Sequence, residues 1–239
     1  MQSALHVLYP SQCVSCGDPL ADDFGLCGAC WAKTAFVTGS VCDTCGAPLP
    51  GDGGPDELLT CDDCMTIKRP WSRGRAALIY KDNARRLVLA LKHGDRTDLA
   101  RPAARWLARA LAPIRVPKMA VVPVPAHWTR LFTRRYNQAA LLAQNLARDT
   151  GLEYIPDALV RPRRTPPQGG SSRVQRFAAM QGAIIPHPKR AGRLDGRDVL
   201  IIDDVMTSGA TLAATAEAAL LAGARDVFTL VLARALKDA

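Results

Sequence analysis

Two groups of residues in this 239-residue chain have types and spacings suited to chemistry, and they lie far apart. The first is a set of eight cysteines, Cys13, Cys16, Cys27, Cys30, Cys42, Cys45, Cys61 and Cys64, arranged as four C-x-x-C pairs. The segment CVSCGDPL (13–20) returns as CDTCGAPL (42–49), and each copy is followed by a second pair, CGAC (27–30) and CDDC (61–64). Each C-x-x-C presents two thiolates from one tight turn. Gly17 and Gly46, just after the pairs that open each copy, let that turn take positive φ and leave amide N–H groups for sulfur. Four thiolates at about 2.3 Å around one ion make a tetrahedral zinc site. The repeat assigns Cys13/Cys16/Cys27/Cys30 to one ion and Cys42/Cys45/Cys61/Cys64 to another; a cross-braced pairing is the alternative the repeat disfavours. Disulfides or redox dithiols fit poorly, because no export signal precedes the cysteines and no βαβ pattern surrounds them.

The second group is VLIIDDVMTSGAT (199–211). An apolar strand delivers Asp203 and Asp204 at its C-terminal end, where open α/β sheets bind ligands. Thr207, Ser208, Gly209, Ala210 and Thr211 follow and open a helix. Consecutive amides at a helix N-terminus form an anion nest suited to a phosphate. Paired carboxylates beside it can accept hydrogen bonds from two neighbouring sugar hydroxyls, so the combination suits a sugar phosphate. Alone, IIDD could equally be a strand ending in a solvated turn; the attached cradle decides for function. The same carboxylates could belong to a Walker B strand, but no G-x-x-x-x-G-K-[ST] loop occurs in the chain.

The elements that must position these residues read as two parts, 1–68 and 72–239. In the second part, AALIY (76–80), MAVVPVP (119–125), RDVLIID (197–203) and DVFTLVLA (226–233) are strands. Residues 83–92, 98–111, 137–148 and 211–222 carry helical spacing. Alternating apolar strands and helices predict an α/β fold with a parallel sheet. The Arg-, Pro-, Gly- and Ser-rich segment 161–182 reads as a long mobile loop.

The net charge of +9 conceals a division. Residues 1–70 hold three Lys/Arg against nine Asp/Glu, a net of −6, and residues 71–239 hold 28 against 13, a net of +15. Two four-thiolate zinc sites would add about −2 each to the front. A polyanion should therefore dock on the second part, while residues 1–68, read as tandem zinc ribbons, should dock on a protein. No stretch of about 18 apolar residues and no signal peptide is present, which predicts a cytoplasmic chain with no membrane span.

Residues 199–211 resemble the phosphoribosyl-pyrophosphate loop of type I phosphoribosyltransferases, and nearly the whole chain resembles the ComF (competence protein F) family. The resemblance runs through the ribbons, YKDNARRLVLALKHGD, VVPVPAHWTRLFTRRYNQA, RPRRTPPQ and the C-terminal GRDVLIIDDVMTSGATLAATAEAALLAGA. It implies a type I phosphoribosyltransferase-like parallel sheet flanked by helices, with Asp203 and Asp204 on the ribose and residues 207–211 on the 5′-phosphate. It also implies that Ala126 and His127 line a pyrophosphate pocket with Mg²⁺ nearby, and that the chain handles single-stranded DNA taken up in natural transformation. Three departures stand out. Arg135, between Arg134 and Tyr136, occupies a usual glycine; Arg176-Phe177-Ala178-Ala179 lacks an asparagine; and Ile184 replaces an aromatic.

Among the remaining basic residues, Lys92 either reaches the pyrophosphate or offsets a helix dipole. His127 is a proton shuttle or, more simply, structural. Arg134 and Arg135 flank the same pocket. Arg161, Arg163, Arg164, Arg173 and Arg176, with no acid among them, either close over pyrophosphate, track a nucleic-acid backbone, or are solvated. Trp128, Phe132, Tyr136 and Phe177 are stacking candidates or core. Two functions fit. One is a DNA-uptake protein with a Mg²⁺-dependent phosphoribosyl pyrophosphate site. The other is an active phosphoribosyltransferase with a nitrogen acceptor that no segment specifies.

Overall fold

A computed structural model describes residues 10–21, 23, 25–51, 57–129, 132, 135–165 and 172–236. The cysteine pairs are carried on short turns and two single-turn helices, α1 (Gly28–Ala32) and α2 (Asp62–Thr66). From residue 73 the chain alternates as expected. It forms β1 (Arg73–Ile79), α3 (Asp82–His93), α4 (Ala100–Leu111), β2 (Ala120–Pro123) and α5 (Gln138–Thr150), then a two-residue edge strand β3 (Glu153–Tyr154). After a small hairpin of β4 (Leu159–Val160) and β5 (Ile185–Pro186), interrupted by α6 (Arg173–Met180), come β6 (Asp198–Met206), α7 (Ala210–Leu221) and β7 (Asp226–Arg234).

The five main strands pair in parallel in the order β1-β7-β6-β2-β3. Burial on both faces explains why β6 and β7 read as near-continuous apolar runs. One face carries α3, α4 and α5 through Leu87, Leu107, Leu142 and Leu146. The other carries α7, whose ATLAATAEAALL sequence is apolar all round because it lies between the sheet and the α6 hairpin region. The expected mobile loop over 161–182 is corrected in part. Residues 173–180 are helical, started by a capping box in which Ser172 accepts from the Gln175 amide and Gln175 accepts from the Ser172 amide.

The two parts share one core. Cys42, Cys45 and Ala47 of the second cysteine repeat are buried in the same cluster as Trp71, Ala76, Val122 and Met206. Residues 35–37 run antiparallel along the edge strand β1, with the Val37 amide on the Ala77 carbonyl (3.0 Å) and the Ile79 amide on the Ala35 carbonyl (2.8 Å). This contact covers a sheet edge that would otherwise offer unpaired backbone groups. Asp43 accepts from Arg73 (2.8 Å) and Arg75 (2.6 Å), and the Trp71 indole donates to the Thr44 carbonyl at 2.6 Å.

The backbones approach closely at Gly46, which has φ +68° and where a Cβ would stand 2.5 Å from the Ala76 amide nitrogen. Gly46→Ala therefore meets both left-handed strain and a backbone clash. We expect it to lower global stability by about 1–3 kcal/mol in denaturant melts. A variant as stable as the parent would show that the second repeat only rests against the sheet.

Candidate functional site

The eight cysteines are all free thiols, and they gather into the two groups expected from the repeat. Within each group the four sulfurs lie within 4.8 Å of one another. The Cys16–Cys27 and Cys45–Cys61 sulfur separations are both 3.6 Å. A tetrahedron with metal–sulfur bonds of about 2.3 Å has edges of about 3.8 Å, so the donor sets fit zinc. Burial alone would push the Cys13 thiol up, but amide donors of Cys27, Cys16 and Ser15 bring it down to about 6. Contact with the Cys45 and Cys64 thiols holds Cys42 well below the ordinary thiol range. Each group thus contains a thiol disposed to ionise, which is the form that binds metal.

The second site lies at the C-terminal end of β6. A cavity of about 210 Å³ is lined by Lys92, Ala126, Arg161, Asp203, Asp204 and Thr211, together with Val124 and residues 136–139. Asp204 is buried and meets the Lys92 ammonium at 2.9 Å. Burial, with the Asp204 charge next to it, pushes the Asp203 carboxyl up to about 7. Lys92 is fixed because the last turn of α3 receives hydrogen bonds from the start of α5. Tyr136 donates to the Leu91 carbonyl (2.7 Å) and Gln138 to the Lys92 carbonyl (3.3 Å). Asn137 caps α5 by accepting from the Ala139 amide and donates to the Val124 carbonyl at 3.0 Å, which ties the turn at Ala126 to the same helix.

Residues 207–211 lead from β6 into α7, and Thr211 reaches the cavity wall. Gly209 has φ +82°, which favours glycine, and a Cβ there would stand 2.7 Å from the Arg69 guanidinium and 2.8 Å from the Met206 methyl. Ala210 begins α7, one residue earlier than expected, and the first-turn amides of that helix have no intrahelical acceptor. The loop's carbonyls, in contrast, are occupied. Arg69 donates to the Ser208 carbonyl at 2.8 Å, and Arg234 donates to the carbonyls of Met206 (3.1 Å) and Thr207 (2.7 Å). The Ala235 amide adds a further bond to Met206 O at 2.9 Å. Both arginines are buried. They engage the carbonyls from the ribbon and β7 side, while the Ala210 amide meets the Ser208 hydroxyl oxygen at 3.4 Å. Arg69 is held between Trp71 and Phe177, with its guanidinium 5.5 and 5.8 Å from the ring centres. The sequence reading missed Arg69 and Arg234. Nothing in their local sequence marks them, because the carbonyls they meet are 139 and 27–28 residues away.

The structure distributes the other basic residues. His127 is buried and outside the cavity lining; its ring nitrogens meet the Thr129 hydroxyl (2.8 Å) and the Pro162 carbonyl (3.2 Å), so it joins two loops and does not face the pocket. Arg135 is exposed and holds φ +63°, the left-handed conformation that favours glycine. Arg134 lies outside the described residues. Arg161 is buried on the cavity wall, bonded to the Thr165 hydroxyl, and so is placed for an anion in the pocket and not for a strand on the surface. Arg163 donates to the carbonyls of Ala179 and Gln181 at the end of α6, Arg164 is exposed, Arg173 pairs with Asp63 of α2 at 2.7 Å, and Arg176 is half-buried. These five do not form one continuous face.

Comparison with known proteins accords with this geometry. A double zinc ribbon domain model matches residues 4–65, and a phosphoribosyl transferase domain model matches residues 137–239. The DNA utilization protein YhgH of Escherichia coli O157:H7 is 30% identical across 95% of this chain and 98% of its own length. The chain belongs to the ComF/YhgH family. The YhgH of Salmonella typhi is 31% identical over the same shares, and the competence protein F of Haemophilus influenzae is 26% identical over 84% of this chain and 87% of its own. Among solved structures, the B. subtilis glutamine phosphoribosylpyrophosphate amidotransferase matches 60% of this ComF-family chain and 30% of its own, at 20% identity and TM-score 0.40. No helix among the described residues is long and apolar enough to cross a membrane.

Two outcomes follow from this geometry. Elemental analysis of protein purified without added zinc should give about two zinc ions per chain; a value near zero would contradict the sulfur geometry. Asp203 has its folded-state pKa raised, so the folded protein binds more protons than the unfolded chain between about pH 4 and 7, and stability falls as pH rises through that window. Asp203→Asn should remove this dependence and make the protein about 1–3 kcal/mol more stable than the parent at pH 8, an allowance for the carboxyl's partial contact with water at the cavity wall. Equal pH–stability curves for the two proteins would contradict it.

Proposed function

We propose that this chain binds phosphoribosyl pyrophosphate with Mg²⁺ in the β6 cavity and acts in the cytoplasm on single-stranded DNA, in the DNA-uptake role that its relatives' names describe. The observation that supports the ligand assignment is the meeting, in one cavity, of two carboxylates, the Lys92 ammonium and Thr211 in the first turn of α7. In this reading the 5′-phosphate takes the amide nest of residues 207–211, where helix-terminal amides stabilise a dianion without further charge. Asp203 and Asp204 accept hydrogen bonds from the ribose hydroxyls. The pyrophosphate lies toward Ala126, Lys92 and Arg161, where two cations and the turn amides offset its charge. Mg²⁺, when bound, supplies neutralisation of the pyrophosphate oxygens. Ligand binding then competes for Lys92, which in the empty site is committed to Asp204.

A second reading is transfer of the phosphoribosyl group to a nitrogen nucleophile. The bond from ribose C1 to pyrophosphate breaks, the acceptor nitrogen forms the new bond and gives up its proton, and the leaving pyrophosphate keeps the electron pair. Lys92 and Arg161 on the leaving-group side favour this chemistry, since they would stabilise the charge that develops there. The DNA role rests on the relatives' names and on the net +15 of residues 71–239.

Isothermal titration with phosphoribosyl pyrophosphate and Mg²⁺ tests the ligand assignment. Asp204→Ala removes a charged acceptor and should weaken binding roughly 10- to 150-fold. Arg69→Met, which frees the Ser208 carbonyl without touching ligand, should weaken it about 5- to 30-fold. Unchanged affinity in a folded Asp204→Ala variant would place the ligand elsewhere.

A further inference from the structure

A second recessed surface shares no lining residue with the β6 cavity. It is a groove of about 350 Å³ between the ribbon segment 31–41, β1 and the C-terminal half of α4. That volume is at the lower end of the roughly 300–1,000 Å³ typical of ligand clefts. Its walls include Trp31, Phe36, Val41, Arg75, Trp106 and Arg109.

Three aromatic rings stand in sequence along it. Trp31 stacks on Phe36 with ring centres 4.2 Å apart and planes 27° apart, and Phe36 meets Trp106 edge-on at 5.6 Å and 87°. Phe36 and Trp106 also pack onto the core beneath α4, which accounts for them. Trp31 is not accounted for in this way: it is 45% exposed and belongs to neither core cluster. It is also held rigidly. Cys27 and Cys30 of the first thiolate group lie four and one residues before it, and its amide donates to the Cys27 carbonyl at 2.8 Å. An exposed indole held on a metal knuckle gives up little rotational freedom when something stacks on it.

The charge beside the rings is one-sided. The α4 sequence ARPAARWLARAL contains no acid, and Arg101, Arg105 and Arg109 recur every fourth residue, which puts them on one exposed face. Like charges at that spacing cost a helix stability. Among the described residues, Arg105 and Arg109 have no carboxylate partner. The nearby acids are already engaged, Asp43 by Arg73 and Arg75, and Asp98 by Arg96. Lys33 adds an exposed cation just beyond Trp31.

We infer that this groove binds single-stranded nucleic acid, with a base stacked on the open face of Trp31 and the adjoining phosphates along Arg105 and Arg109. Aromatic faces next to a row of arginines are the combination that holds an unpaired strand, since every base has a π-face and duplex bases are not available to stack. A free phosphate or an acidic peptide would satisfy the arginines and leave Trp31 unused. The inference rests on the DNA reading above and gives it a location. In this groove the ribbon contributes the ring and α4 contributes the charge.

The test uses the full-length, zinc-loaded chain and a fluorescent oligo-dT, followed by anisotropy and by quenching of indole fluorescence. Trp31→Ala should weaken binding about 5- to 150-fold, while Trp31→Phe should retain most of it. Arg105→Gln with Arg109→Gln changes only exposed side chains. It should flatten the plot of log affinity against log salt by about 1.4 units if both residues touch phosphates. A duplex of the same length should bind more weakly and quench less. If the parent binds no oligo-dT, the DNA reading and the groove fall together. If the parent binds and all three variants bind equally well with an unchanged salt slope, the DNA reading stands and the groove assignment is wrong. A parent that prefers duplex, with no indole quenching, also overturns it.

Discussion

The arrangement turns on a requirement of backbone polarity. A loop can present consecutive amides to an anion only if its carbonyls find donors on another side, because a buried peptide group without a partner costs as much as a lost hydrogen bond. Here those donors are guanidinium groups. Arg234 comes from the end of β7, and Arg69 comes from the stretch that joins the second thiolate repeat to the sheet. A guanidinium offers several donors in a fixed plane, so one Arg234 side chain serves two successive carbonyls. Placing two cations behind the loop also makes its surroundings more favourable to a phosphate.

This requirement ties the ribbons, through packing alone, to the loop proposed to hold the sugar phosphate. The C-x-x-C turn of Cys42–Cys45 holds Trp71 through the Thr44 carbonyl, and Trp71 with Phe177 of α6 forms the aromatic clamp around Arg69. The charges of Arg73 and Arg75 are absorbed by Asp43 in the same turn, and burial of Cys42 and Cys45 in the common core fixes the turn against β1. Metal loading of the second group and the shape of the loop at residues 207–209 are therefore parts of one packing arrangement. Two modules that look separable in sequence are joined physically at the base of the cradle.

Much of this was readable from the chain, and the reasons are local. The cysteine grouping followed from a repeat whose spacing is dictated by tetrahedral ligation. The β6 strand followed from the apolar run at 197–203, although it continues past the paired carboxylates to Met206, and the small residues 207–211 marked the turn into α7. The α6 helix was obscured by the proline- and glycine-rich run before it, although Ser172-x-x-Gln175 is a capping signature that could have marked its start. His127 and Arg161 carried the right chemistry for a pocket, but which way each side chain faces is set by tertiary packing: one joins two loops and the other lines the wall. Arg135 shows the converse, since its backbone holds the left-handed conformation at a position where the family resemblance implies glycine. The exposed Trp31 ring beside the α4 arginines joins residues about 75 positions apart, which sequence spacing does not reveal.

The central claim is that amides of residues 207–211, freed by carbonyl capture behind the loop, hold the 5′-phosphate. Amide NMR of the ¹⁵N-labelled full chain, titrated with phosphoribosyl pyrophosphate and Mg²⁺, reads those groups directly. The account predicts that the Ser208 to Thr211 amides shift downfield at saturation as they take up charged acceptors, and that ribose 5-phosphate alone reproduces the shifts. Saturable binding that leaves these amides unmoved, with the shifts confined to other parts of the chain, would contradict it.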